Sequence, residues 1–306
     1  MPKDILIGID VGTTALKAAA FDADGGDLLA SASQRLRVTS AAEGAREQNA
    51  AALTLALRRT LGALEAELGS AWRRVAGLGL AAQGGSGAIV DRSTGKPSTP
   101  MVLWNDGRTF RYQACIGQMK APRYWRALTL QDNPGAGLGR LAWMKEKHPH
   151  LFHNENIYCG AGEYLYFQLT GQWRQDAGNA LQIGCYDAVR QRLVRGPMDL
   201  VGVPLSFVAP MREGHETNPL SAKASQLLRL AEGIPVAGPY MDHETGYLSA
   251  VGLSHRPLQC SLGTAWVGNF IIPEIAGDKA PLVLVMPAPL GKGQLIVLPL
   301  AAGNVA

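Results

Sequence analysis

The 306-residue chain is 47% hydrophobic and 18% charged, the balance of a globular protein with room for two domains and a large core. Its net charge of +4 comes without any extended Lys/Arg run, which argues against a nucleic-acid or membrane-surface role. No apolar stretch approaches bilayer-spanning length, no signal-peptide pattern opens the chain, and Cys115, Cys159, Cys185 and Cys260 form no C-x-x-C pair, so a reduced, cytoplasmic setting is expected.

The first elements predicted are the strands Ile5 to Ile9 and Ala18 to Phe21, an antiparallel hairpin. Its bend carries Asp10, Gly12, Thr13 and Thr14. Gly12 has no Cβ to obstruct a ligand. The N–H groups and hydroxyls of the two threonines can donate to phosphate oxygens. Phosphate alone would repel Asp10, so its presence predicts a Mg²⁺ held between carboxylate and phosphate through water. The alternative is an ordinary turn with an exposed Asp.

After the Asp24–Asp27 turn, Leu28 to Leu36 supplies a third strand. Leu53, Leu57, Leu61, Leu64 and Leu68 then recur at helical spacing, a core-packing stripe. Val75 to Ala81 is a strand whose Gly77 and Gly79 predict close packing. It leads into the loop Gln83-Gly84-Gly85-Ser86-Gly87, the strand Ala88 to Asp91 and a surface turn over 92–97. Asn105 to Arg108 enters a helix through Met119, and Leu138 to Lys147 forms another. Tyr164 to Leu169 forms a third, closed by Gly171, with Tyr164, Tyr166 and Phe167 as core. His148, His150 and His153 lie among lysines without a carboxylate or cysteine at ligand spacing, so a solvated helix end is favoured over a metal site. Residues 193–219 read as loop-rich and Leu220 to Ala231 as helical.

Near Pro235 a strand–turn–helix pattern returns, with Asp242 at the head of the helix. Cys260-Ser261-Leu262-Gly263-Thr264-Ala265 then repeats the opening device, followed by an apolar strand, Val267 to Ile272. Two such hairpins, one opening each half, predict two lobes with a nucleotide in the cleft between them.

In this order the motifs resemble the FGGY carbohydrate kinases of the actin/Hsp70/hexokinase ATPase superfamily, over nearly the whole chain. Ile9 to Thr14 with Lys17 is similar to the first phosphate motif, and Glu47-Gln48-Asn49 to the E-Q-D/N element. Gln83 with its glycine loop and Asp91 resembles the segment lining the sugar pocket. Trp104-Asn105-Asp106-Gly107-Arg108 is similar to the W-x-D-x-R sugar motif. Asp176, Asn179, Ala180 and Asp187 resemble a further signature, Asp242 stands where the catalytic aspartate is expected, and Ser261 to Thr264 resembles the second phosphate motif.

There are departures too. Gly84-Gly85-Ser86 follows Gln83 where the xylulose-kinase branch has Met-His, and the Arg-Glu pair of the glycerol-kinase branch is absent. Gly238-Pro239-Tyr240-Met241 precedes Asp242 in place of a glycine triplet. The chain stops at Ala306 where family members continue, so a second lobe cut short is expected.

The resemblance implies an α/β, ribonuclease-H-like fold in two lobes, residues 1–253 and an incomplete 254–306. It implies ATP-dependent phosphorylation of a primary hydroxyl on a small ketose or sugar alcohol, a pentulose favoured. Asp242 would be the general base and a sugar ligand, although a helix N-cap is its other reading. Asp10 would hold Mg²⁺; Gly12, Thr13, Thr14, Lys17, Ser261, Gly263 and Thr264 would hold ATP. Gln83, Trp104, Asp106 and Arg108 would bind the sugar. Otherwise Trp104 is core, Asp106 and Arg108 a surface pair, and Gln83 a turn residue. His243 either tunes Asp242 or packs. An ATPase of the same superfamily without a sugar substrate, and a non-catalytic sugar-binding fragment, are the competing functions. The expected partner is a small sugar or polyol; oligomeric state stays open, a homodimer being one option.

Overall fold

The computed structural model describes residues 3–41, 44–188, 190–262, 266–274 and 283–301. Contacts divide the chain into two units interleaved in sequence. One comprises Met1–Gly107, His150–Asp176 and Ser206–Tyr240; the other comprises Arg108–Pro149, Ala177–Leu205 and Met241–Ala306. The sequence predicts a single boundary near Leu253.

The first unit is built on a six-stranded sheet. Ile5, Ile7, Ile9 and Val11 alternate with outward residues, which makes Ile5–Val11 a strand with one buried face. It pairs antiparallel with Ala15–Asp22, which pairs antiparallel with Leu28–Arg35. On its other side it runs parallel to Val75–Ala82. Pro235–Met241 and Thr217–Pro219 complete the sheet.

The helix Ala50–Leu68 is capped by Asn49, whose side chain accepts from the Ala52 N–H at 3.3 Å. Leu53, Leu57, Leu61 and Leu64 are buried in the core with the sheet residues, and Leu68 packs at its edge. The aromatic-rich helix spans Ala161–Thr170, and Gly171 closes it at φ 73°. Tyr164 and Tyr166 are buried, whereas Phe167 is half-buried and stacks on Trp173 at 4.1 Å. Gly77 packs against Pro235, but a Cβ on Gly79 would meet nothing within 4 Å, so close packing holds for one glycine of the two.

Three stretches differ from the sequence expectations. The helix expected over 220–231 is Ala222–Leu228, started by Ser221 and ended by Arg229 in the left-handed region at φ 54°. The loop-rich segment contains the helix Arg195–Leu200 and the edge strand Thr217–Pro219. The strand at Pro235 continues to Met241. Gly238 in that strand has φ 100°, and a Cβ there would strike the Leu80 carbonyl, so the neighbouring strand leaves room for glycine alone.

The second unit contains the helices Phe110–Gln118, Pro122–Thr129, Ala136–Lys147, Ala177–Ile183 and Asp242–Val251. It also holds a four-stranded antiparallel sheet in the order Gln259–Leu262, Trp266–Ile272, Gln294–Ala301, Leu284–Pro287. His148 caps the C-terminus of Ala136–Lys147, and among the described residues no cluster of three or more His, Cys, Asp or Glu side chains stands at metal-binding distance. Among the described residues no helix is long and apolar enough to cross a membrane.

Candidate active site

The bend of the first hairpin is closed by the Gly12 N–H donating to the Ala15 carbonyl at 3.0 Å. Among the described residues the N–H groups of Thr13 and Thr14 have no acceptor, and Thr14 is exposed. Two neighbouring amides at one bend, without partners among the described residues, form a donor pair that suits an anion. Asp10 and Lys17 face each other across the strand pair, Asp10 half-buried and Lys17 exposed. One carboxylate beside bare amides matches the donor set that a Mg²⁺–phosphate group requires.

The Thr13 hydroxyl has a different task. It donates to Gln83 Oε1 at 2.9 Å, and a hydroxyl carries one proton, so in this arrangement it is not a phosphate donor. Gln83 Oε1 also accepts from Ser86 Oγ at 3.2 Å, and Gln83 Nε2 donates to Gln48 Oε1 at 3.1 Å. Gln48 Nε2 in turn donates to the Thr13 carbonyl. Gln48, Gln83 and Ser86 are all buried. Gln83 is therefore a buried junction, not a turn residue facing solvent.

Trp104 is 40% exposed, which rules out the core reading for this residue. Its indole N–H donates to Thr13 Oγ1 at 3.3 Å, and its backbone N–H donates to Ser86 Oγ at 3.1 Å. The Trp104 ring is thus an exposed apolar wall fastened at both ends. Asp106 is fully buried, and Oδ2 accepts the Arg46 N–H at 2.8 Å, so a surface Asp–Arg pair is excluded. This contact hangs the Trp104 loop on the strand Ala45–Gln48, whose last residue enters the glutamine network. The Arg108 guanidinium lies over the Trp143 ring at 4.4 Å. Asp91 accepts from the N–H and hydroxyl groups of Ser93 and Thr94, which holds its pKa down to about 2 and commits it to the surface turn.

Asp242 is the first residue of the helix Asp242–Val251, and the N-cap is Met241, so Asp242 does not cap the helix. Burial raises its pKa, opposed by the charge of His243 and by the N–H groups of His243 and Asp242. The His243 N–H donates to Asp242 Oδ1 at 3.0 Å. Capping falls to Glu244, buried, whose Oε2 accepts the Met241 N–H at 3.0 Å. Its carboxylate presses on Gly178, where a Cβ would approach Oε2 to 2.7 Å. The same helix rests on the hairpin that bears Ser261, with Gly246 at the closest approach, where a Cβ would lie 2.9 Å from Gln259 Oε1.

The first unit accordingly holds Asp10, Gly12, Thr13, Thr14, Lys17, Gln83, Trp104 and Asp106. Arg108, Asp242 and Ser261 belong to the second unit. Gly263 and Thr264 lie outside the described residues; the strands flanking them pair antiparallel, with Leu262 opposite Trp266. Sequence reasoning assigned no role to Gln48, Ser86, Glu163 or Glu244. For Glu244 a signal existed, a glutamate three residues after the cap position, but a Met at that position conceals the capping box.

A meander of antiparallel strands, a parallel neighbour on its inner edge and a donor-lined first bend define an actin- and hexokinase-like ATPase fold. The crystal structure of xylulose kinase from Rhodospirillum rubrum superposes with a TM-score of 0.85 at 22% identity, covering 98% of this chain and 62% of that one. The model of the FGGY family of carbohydrate kinases, N-terminal domain, matches residues 5–249, and the chain belongs to this family. The xylulose kinase of Lactococcus lactis is 23% identical over 300 residues, 98% of this chain and 60% of the relative. The apulose kinase of Pectobacterium atrosepticum is 39% identical over 136 residues, 44% of this chain and 27% of that protein. The chain spans about 60% of the length of the xylulose kinase relative it matches.

Proposed function

We propose that this chain serves ATP-dependent phosphorylation of a primary hydroxyl on a small ketose or sugar alcohol, a pentulose favoured. The observation that carries the reading is the pair of unpartnered amides at Thr13 and Thr14, held through Thr13 against the exposed Trp104 ring. A phosphate site and a sugar-stacking wall meet at one residue. Both relatives described above are named for a keto sugar, which supports that acceptor class.

ATP supplies the phosphoryl group and Mg²⁺ the charge neutralisation that phosphoryl transfer needs. Asp10 would hold the metal; Thr13, Thr14 and Gly12 would offer the bend to phosphate, with Lys17 beside it. Ser261, Gly263 and Thr264 hold phosphate from the second hairpin. Trp104 packs on the C–H face of the sugar, with Asp106 and Arg108 as partners for its hydroxyls. Asp242 accepts the proton of the attacking hydroxyl; its raised pKa makes it a better base than an exposed carboxylate. The setting is cytoplasmic.

An ADP-release assay over pentuloses, hexuloses and polyols tests this. Sugar-dependent turnover is expected, and Asp242→Asn should lower it by about 10²–10⁴-fold while sugar binding persists. ATP turnover indifferent to every sugar would favour an ATPase without a sugar substrate and end the proposal.

A further inference from the structure

Following the donors around the first bend gives a closed circuit. The Thr13 hydroxyl donates to Gln83 Oε1, Gln83 Nε2 donates to Gln48 Oε1, and Gln48 Nε2 donates back to the Thr13 carbonyl. Each amide has its oxygen and nitrogen assigned by a different partner, so neither glutamine can flip without breaking two bonds. Gln83 is further held by its own N–H donating to the Val11 carbonyl at 2.9 Å. Ser86 bridges the circuit to the Trp104 backbone, and the Trp104 indole N–H closes on the Thr13 hydroxyl oxygen.

Such a circuit has a consequence for Thr13. Its carbonyl and hydroxyl are both restrained, so the peptide planes on either side, which carry the Thr13 and Thr14 N–H groups, have little freedom. The same residue fixes the Trp104 ring. Gln48 reaches neither an exposed donor nor the indole, and its 2% exposure leaves it no direct contact with a ligand. Packing alone does not require two buried amides at this spot; leucine would fill the volume without the desolvation cost.

We propose that Gln48 and Gln83 are positioning residues that lock Thr13, tying the Trp104 wall and the phosphate-binding amides into one unit, so that acceptor and phosphate are presented in fixed register. This rests on the kinase reading for its meaning and on the hydrogen bonds for its existence. It assigns to Gln83 a role through Thr13, in place of direct sugar contact, and it gives Gln48 a role.

The test uses the full chain labelled with ¹⁵N, with the Trp104 indole resonance assigned by its loss in Trp104→Phe. Gln48→Glu and Gln83→Glu keep shape and acceptor but each removes one N–H arm. Both are expected to shift the Trp104 indole resonance, which Gln48 does not touch, and the amide resonance of Thr14, whose peptide carbonyl Gln48 holds. Thr13→Ser, which keeps the hydroxyl, should restore the wild-type positions that Thr13→Val loses. With magnesium pyrophosphate as probe, Gln48→Glu should bind about tenfold more weakly, the loss of one good hydrogen bond. Unmoved indole and Thr14 resonances in Gln48→Glu overturn the proposal. A wild-type chain that ignores magnesium pyrophosphate counts against the kinase reading, while the circuit is still decided by the resonances.

Discussion

Glu163 shows how much a single buried carboxyl can weigh. It is 2% exposed, with Oε2 unpartnered among the described residues, near the start of the helix Ala161–Thr170. Burial lifts its pKa from 4.5 to about 7; Asp176 adds to the rise, and the N–H groups of Glu163 and Gly160 oppose it. The unfolded chain gives up this proton near 4.5, the folded chain near 7, so the folded state holds more protons in that window. Stability from this group is complete below the unfolded value and falls as pH rises through the folded one, by about 3 kcal/mol in all. Glu163→Gln is expected to remove that slope: thermal melts at pH 5 and pH 8 should differ less in the variant, and the variant should melt higher at pH 8. An unchanged slope would assign the titration elsewhere.

At the scale of elements, the helix Asp242–Val251 depends on a contact from a distant part of the chain. Glu244 caps it by accepting the Met241 N–H, and Gly178 on the helix Ala177–Ile183 leaves space for that carboxylate. The segment around Asp176, Asn179 and Ala180 therefore has a physical reason to be small at position 178. Gly178→Ala should push Glu244 off the cap, and Glu244→Ala removes the acceptor; each is expected to cost about 1–2 kcal/mol. Hydrogen exchange of the amides in the first helical turn reads this directly, and protection equal to wild type in both variants would refute it. The Asn49 cap and the leucine stripe of Ala50–Leu68 were legible in sequence because they are local and periodic. The Glu244 cap was not, because methionine is not a residue type that signals a helix cap in sequence and Gly178 is remote along the chain.

For the molecule as a whole, stability of the first unit rests on the sheet–helix core around Ile7, Leu16, Leu53, Leu61 and Leu64, each almost fully buried. Leu61→Ala should cost about 2–5 kcal/mol, with the urea midpoint falling and the slope of unfolding unchanged. Leu253→Ala, at a residue 86% exposed, should stay within about 0.5 kcal/mol of wild type. Equal losses in the two variants would mean that the core has been placed wrongly.

Sequence alone determined the alternation of Ile5–Val11, the leucine stripe, the first Gly-Thr bend and the order of motifs, because period, turn chemistry and spacing are properties of neighbouring residues. It also determined the family those motifs resemble. The tertiary structure decided which side chains within those motifs are used up. Thr13 carries a hydroxyl that suits phosphate in sequence, yet its one proton goes to a glutamine 70 residues away. Asp106 reads in sequence as a sugar ligand or, failing that, a surface partner for Arg108; the fold buries it with Oδ2 taken by the Arg46 amide. Hydrogen-bond capacity is finite, and how it is shared among residues far apart in the chain exists only once the chain has folded.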